Sequence, residues 1–120
     1  MALILAINEE KDSLVLAGRI PTAEGHRVTP FGRVREAAQW LRDHSPDLVL
    51  ASGGRHGEKA KETVRLLKNA GIPGSKILLL TGPVSLPSVR KALQGKVRAV
   101  MQETADREDL LTLVKTAVDD

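Results

Sequence analysis

Short apolar runs alternate along this chain with stretches in which apolar residues recur at helical spacing. Three uninterrupted runs have the character of strands buried on both faces of a sheet: Leu3–Ile7, Leu48–Ala51 and Ile77–Leu80. Two weaker runs predict further strands, one at Arg27–Thr29 and one at Ala99–Gln102. The first of these is short and polar, which favours a position near a sheet edge, and Pro30 is expected to end it.

The segments between these runs carry the periodicity of amphipathic helices. Val34, Ala37, Ala38 and Leu41 recur at i, i+3, i+4 and i+7 and predict a helix from about Arg33 to His44, with that face inward and Trp40 as a half-buried flank. Four more helices are predicted: a short or kinked one capped by Asp12 or Ser13, one from near Gly57 to Asn69, one from about Leu86 to Gln94, and one from about Arg107 to Val118 that buries Leu110, Leu113, Val114 and Ala117.

Five predicted strands thus alternate with five predicted helices through short connections. This order predicts right-handed crossovers and a doubly wound α/β fold, with a five-stranded parallel sheet covered on both faces. The chain has 120 residues and shows no linker or internal repeat, so residues 1–120 are expected to form one domain.

Composition narrows the class of protein. The net charge is only +3, the basic residues are scattered in sequence, and there is no tyrosine, one Phe and one Trp, so nucleic-acid binding is not predicted. No apolar run is long enough for a signal peptide or a membrane span. The absence of cysteine excludes thiol chemistry and is compatible with a reducing compartment. The expectation is a cytoplasmic domain that does not contact membranes.

The candidate chemistry lies after the central apolar run. Ser52 is placed at the carboxyl end of a central parallel strand, the edge at which α/β sheets form sites. Amide groups of the following loop, with basic residues nearby, could hold an anion at Gly53, Gly54, Arg55 and His56, although the loop lacks the Lys-Ser/Thr ending of a P-loop. The G-x-S-x-G pattern of a hydrolase nucleophile is also lacking, so no enzyme is predicted.

The strings LILAINEE, SPDLVLAS and ILLLTG resemble the receiver domains of bacterial two-component response regulators of the chemotaxis-regulator type. The resemblance covers the whole chain. It implies a flavodoxin-like sheet with strand order 2-1-3-4-5, in which LILAINEE forms the first strand and its acidic exit, SPDLVLAS approaches the phosphoacceptor, and ILLLTG ends at a switch threonine.

The resemblance also implies that most of the phosphorelay chemistry is missing. Its phosphoacceptor aspartate falls on Ser52, and its magnesium-binding acidic pair falls on Asn8 and Glu9. Its phosphate-contacting lysine falls on Glu103 or, in a register one residue earlier, on Gln102. These residue types predict a pseudo-receiver without metal or other cofactor, although Glu9 and Glu103 leave loose divalent binding open.

The same resemblance predicts how such a domain would act. Thr81 retains the switch hydroxyl, whereas Val100 replaces the aromatic switch residue, so a single fixed state is expected. The predicted function is phosphorylation-independent contact with a protein partner or a second copy, by the domain alone or as part of a longer regulator. The contact face is predicted on the helix near 86–94, the strand at 99–102 and the last helix, and includes Arg90, Lys91, Val100, Leu111 and Val118. The alternatives are an anion- or nucleotide-binding module at the carboxyl edge and a receiver phosphorylated at an unusual residue.

Overall fold

The computed structural model describes residues 2–8, 25–54, 56–82, 84–102 and 107–119, without the side chains of Arg107 and Asp119. The predicted first helix, Glu9, Arg55 and Glu103 lie outside these residues. The elements in chain order are β1 Leu3–Ile7, β2 Arg27–Phe31, α1 Val34–Asp43, β3 Leu48–Ser52, α2 Ala60–Asn69, a 3-10 turn Gly74–Lys76, β4 Ile77–Thr81, α3 Leu86–Leu93, β5 Ala99–Gln102 and α4 Arg107–Asp119.

The five strands form one parallel sheet in the order β2-β1-β3-β4-β5. This confirms the predicted flavodoxin-like topology, in which the chain changes direction across the sheet after β2. β3 is the middle strand, and the carboxyl ends of β1, β3 and β4 meet at one edge of the sheet. Within the described ranges, no helix is both long and apolar enough to cross a membrane.

Alternate strand residues supply the two halves of the core. On one face, Leu5, Val49 and Leu79 pack against α1, α2 and α3, which contribute buried side chains such as Ala37, Leu67 and Val89. On the other face, the strands pack against α4 through a second set of buried residues: Ile4, Leu50, Leu78, Leu110 and Val114. The apolar runs are continuous because both faces of each central strand are covered.

Strand β2 runs one residue past the proline that was expected to end it. Pro30 pairs in register with Ala6, and the Asn8 amide donates to the Phe31 carbonyl at 3.1 Å. β2 is an edge strand, and alternate backbone groups of an edge strand face outward. The missing N–H of Pro30 is therefore on the unpaired side and costs the sheet no hydrogen bond.

Four helix positions on the predicted inward faces are not fully buried. Ala38 is exposed, and Leu41, Leu113 and Ala117 are only partly buried. Trp40 is partly buried, as predicted, and packs beside Phe31 with ring centroids 6.1 Å apart. Its outer face is stacked on the His44 ring at 4.4 Å, which explains how a half-buried indole is covered at the helix end.

Candidate functional site

Three of the predicted site residues meet at the carboxyl edge of the sheet. Ser52 ends β3, Asn8 follows β1 and Thr81 ends β4. Thr81 is fully buried, Asn8 is 7% exposed and Ser52 is partly buried. The order of the strands brings these residues together.

The hydroxyl of Ser52 closes the turn that leaves β3. The Gly54 amide donates to Ser52 Oγ at 3.1 Å, a side-chain contact two residues along the chain that is typical of Ser/Thr turns. The Gly53 amide donates to the Leu80 carbonyl at 2.8 Å and so extends the pairing with β4. Ser52 therefore has a structural role in the turn.

The loop amides considered for anion binding also have acceptors within the chain. The Gly57 amide donates to the Gly54 carbonyl at 3.2 Å, and the Lys59 amide donates to the Gly53 carbonyl at 2.9 Å. These turns delay α2, which begins at Ala60 rather than near Gly57. The His56 amide donates to Glu58 Oε2 at 2.9 Å.

Glu58 is the residue of this loop that the sequence did not single out. Its carboxylate lies over Gly54, since a Cβ on that glycine would be 2.6 Å from Glu58 Oε1. Hydrogen bonds from the backbone of Glu58 itself and of His56 lower the pKa of the Glu58 carboxyl, and the charges of His56 and Lys59 contribute in the same direction. The backbone amides of this loop thus already bind a carboxylate, that of Glu58.

Thr81 connects the ends of three elements. Its Oγ1 lies 3.2 Å from the Gly54 carbonyl and 3.1 Å from Ser85 Oγ, and Ser85 Oγ lies 3.2 Å from the Gly82 carbonyl. The hydroxyl groups of Thr81 and Ser85 supply two hydrogens for these three contacts. Thr81 is therefore held inward, bridging the β3 turn to the segment that begins α3.

A cleft of about 560 Å³ opens between α1 and α2 above this edge. Its base includes the buried residues Ile7, Asn8 and Val34, and its rim carries charges of both signs. The rim residues are Arg33, Arg35, His56, Glu58, Lys59 and Glu62. Ser52, Gly54 and His56 line the cleft, whereas Thr81 does not.

The described residues at this edge do not fit a tight magnesium site. Mg²⁺ is bound in such sites through carboxylates, and here the ends of β1 and β3 carry the amide of Asn8 and the hydroxyl of Ser52. Among the parts of the chain that the structure describes, no three His, Asp or Glu side chains group to hold a metal ion.

The predicted contact face combines exposed basic residues with apolar side chains that are buried or partly buried. Arg90 and Lys91 are exposed on α3, and Arg90 Nε donates to the carbonyl of the buried Val100 at 3.1 Å. Leu111 and Val118 are only partly exposed, because both pack against the core beneath α4. The face instead contains a groove of about 630 Å³, lined among others by Leu86, Arg90, Gln102, Asp109, Thr112 and Leu113.

Comparison with known proteins gives a fold but no close relative. No protein-family model matches the chain, and no curated protein matches it. A response regulator from Thermotoga maritima superposes with a TM-score of 0.82 at 16% identity, covering 100% of this chain and 99% of its own. A response regulator receiver protein from Burkholderia phymatum gives 0.80 at 15% identity, covering 99% and 96%.

The same fold is also found within a longer chain. NtrX from Brucella abortus, solved in complex with ADP, superposes with a TM-score of 0.78 at 19% identity, covering 98% of this chain and 27% of NtrX. At identities this low the likeness concerns the arrangement of strands and helices. The chain therefore has the fold of the response regulator receiver domains.

Proposed function

We propose that this chain is a pseudo-receiver, a signalling domain of the two-component type that acts by protein contact without being phosphorylated. The observation that carries the proposal is Ser52. It occupies the carboxyl end of the central strand, and its hydroxyl accepts a hydrogen bond from the Gly54 amide. A serine cannot form the acyl phosphate that receivers form on aspartate.

Charge around this position argues in the same direction. A phosphoryl group brings negative charge, which receiver chemistry neutralises with a metal ion and a lysine. Here the Glu58 carboxylate lies over the adjoining Gly54. Like charges repel, so this carboxylate disfavours a phosphoryl group on the neighbouring Ser52.

The contacts of Thr81 support a single conformational state. Its hydroxyl already bridges the Gly54 carbonyl and Ser85, so the β3 turn and the start of α3 are joined without a phosphoryl group. Val100 is buried beneath Arg90 and offers no aromatic ring to move. A surface built on α3 and β5 would therefore be present constitutively.

Incubation with acetyl phosphate and magnesium tests the chemical half of the proposal. Intact-mass measurement should find no added phosphoryl group, while an aspartate-bearing receiver treated in parallel gains one. Ser52→Ala is the matched control. An adduct that this substitution removes would identify Ser52 as an unusual phosphoacceptor and would overturn the proposal.

The contact half of the proposal is best tested in the groove between α3, β5 and α4. Thr112 is exposed and lines this groove, whereas Thr116 is exposed one turn further along α4 and does not line it. Both hydroxyls donate to a carbonyl four residues earlier, at 2.9 Å. The two residues therefore form a matched pair for blocking the groove.

Thr112→Arg should reduce self-association or partner capture by about tenfold, the loss of roughly 1.4 kcal/mol expected when an interface position is obstructed. Thr116→Arg should leave association near the wild-type value. Sedimentation velocity measures the self-association, and equal behaviour of the two variants would place the contact surface elsewhere.

Anion or nucleotide binding remains the second candidate because of the cleft between α1 and α2. Its volume of about 560 Å³ is within the range of small-molecule sites, and Arg35 and His56 lie on its rim. Titration with phosphate or ATP should then shift the amide resonances of Gly53 to Gly57 before others. A flat titration to millimolar ligand would exclude this candidate.

A further inference from the structure

The fold collects basic residues that are dispersed in the sequence. Residues 60–98 contain one acidic residue, Glu62, and eight basic ones: Lys61, Arg65, Lys68, Lys76, Arg90, Lys91, Lys96 and Arg98. The last part of the chain has the opposite balance, since residues 99–120 contain six acidic and two basic residues. The charge is therefore distributed unevenly even though the net value is only +3.

On helix α2 the acidic and the basic side chains lie on different flanks. Glu62 and Leu66 line the cleft toward α1, and Val64 and Leu67 face the core. With 100° of rotation per residue, Lys61, Arg65 and Lys68 fall on the opposite flank, next to α3. All three are exposed, and they repeat at i, i+4 and i+7 along one line.

The line of charge continues past the end of α2. Lys68 Cε lies 3.4 Å from where a Cβ on Gly74 would stand, and that Cβ would also meet the Lys96 carbonyl. Lys96 is exposed in the turn after α3, and Lys91 is exposed on α3 itself. We call the surface formed by Lys61, Arg65, Lys68, Lys91 and Lys96 the basic face.

The neighbouring flank of α3 is made of small side chains. Rotation about the helix places Ser88 and Ala92 toward α2, whereas Arg90 points the other way and bonds to β5. The basic side chains of α2 are thus not opposed by acidic groups of α3, which contains none. A polyanion can therefore approach the basic side chains of α2 without meeting an acidic side chain of α3.

The composition of the basic face selects among anionic partners. The core of a protein interface is apolar, and none of the five residues that form the basic face is apolar. Binding of single strands uses aromatic platforms, and both Phe31 and Trp40 lie on the far side of α1, packed on each other. Charge without apolar or aromatic groups fits the phosphate backbone of a duplex.

We propose that the basic face binds the phosphodiester backbone of double-stranded DNA without reading its sequence. The five cations spread along α2, α3 and the following turn would each neutralise one phosphate. Binding at this face requires neither Ser52 nor the groove between α3 and α4, so it adds a second partner to the contact function proposed above.

Fluorescence anisotropy of the whole chain with a labelled 24-base-pair duplex of arbitrary sequence tests the proposal. Five phosphate contacts predict a slope of log K against log salt of about −4 to −5, so that affinity falls a few hundredfold between 50 and 200 mM salt. A chain that does not bind the duplex at 50 mM salt overturns the proposal.

Two matched triple substitutions locate the contact. Lys61→Gln, Arg65→Gln and Lys68→Gln together should make the salt slope shallower by about 3 and weaken binding at least about tenfold. Arg27→Gln, Arg42→Gln and Lys115→Gln remove the same charge from exposed positions outside the basic face and should change the slope by less than about 1. An equal loss of affinity in the two triple variants would mean that net charge alone accounts for DNA binding, and would overturn the assignment of binding to the basic face.

Further controls keep the outcome decisive. Lys61→Arg with Lys68→Arg retains the charge and should bind as wild type, so a loss in this variant points to disturbed folding of α2, which circular dichroism reads directly. Poly-glutamate and vesicles of phosphatidylcholine with phosphatidylglycerol are the rival anions. Tighter binding to either of them, or to the single strand, than to the duplex at equal salt would overturn the assignment.

Discussion

Gly57→Ala tests the contact between the loop after β3 and helix α3. Gly57 has φ of +72°, a region that costs an L-residue about 1–2 kcal/mol. A Cβ there would stand 2.5 Å from Val89 Cγ2 and 3.3 Å from Ser85 Cβ, and Val89 is 6% exposed. Crowding of a packed core adds about 1–3 kcal/mol.

The expected total loss in the free energy of unfolding is therefore about 2–5 kcal/mol. This is a large part of the roughly 5–15 kcal/mol that stabilises a domain. Urea denaturation measures it. With an m-value of about 1–3 kcal/mol per molar, the midpoint should fall by about 0.7 M or more.

Gly71→Ala is the matched control, since Gly71 has φ of +93° with no atom within 4 Å of its virtual Cβ. It should cost only the conformational part, about 1–2 kcal/mol. Val89→Ala removes the atom that the new Cβ would crowd. The loss of stability in the double variant Gly57→Ala with Val89→Ala should therefore be about 1–3 kcal/mol smaller than the sum of the losses in the two single variants. Equal losses in Gly57→Ala and Gly71→Ala would refute the packing of the loop on α3.

Three further predictions concern single contacts. Thr81→Val should lower the free energy of unfolding by about 1–3 kcal/mol in urea, because it leaves the Gly54 carbonyl without this donor, while Ser88→Ala, whose hydroxyl is on an exposed residue, should cost less. Because the pKa of Glu58 is below its ordinary 4.5, its stabilising contribution is complete above that pH and is lost as the pH falls through the lower folded value; the stability difference between wild type and Glu58→Gln should therefore shrink in acid, and a constant difference would contradict the contact. His44→Ala removes a ring stacked on Trp40 at 4.4 Å, so it should cost about 0.5–1.5 kcal/mol and shift the emission of the chain's one tryptophan to the red, and an unchanged spectrum would argue against the stack.

The sheet was predictable because its central strands are covered on both faces. Continuous apolar runs such as Leu48–Ala51 contain no polar residue, so they indicate strands with both faces buried. The short connections between the elements allow few sheet topologies. The extent of β2 was not predictable, because the effect of Pro30 depends on which side of the strand is unpaired. That is a property of the finished sheet.

The site was predictable in its location and less so in its chemistry. The strand ends placed Ser52 and Thr81 at one edge, but the sequence does not show that Ser52 Oγ and Glu58 accept hydrogen bonds from loop amides. These acceptors depend on side-chain conformation over a turn of a few residues. The grouping of Lys61, Arg65 and Lys68 beside α3 was also hidden, since spacing within a helix does not show which neighbour a flank faces.

Pro30 also affects the tendency of the protein to aggregate in concentrated solution. An edge strand offers unpaired backbone groups to any other strand, and chains that add to such edges grow into insoluble fibres. At the β2 edge the outward donor of Pro30 does not exist, so an incoming strand finds no hydrogen-bond donor at the fourth of the five residues of β2. The opposite edge, β5, is only four residues long. Both borders of the sheet are therefore poor templates for β-sheet aggregation.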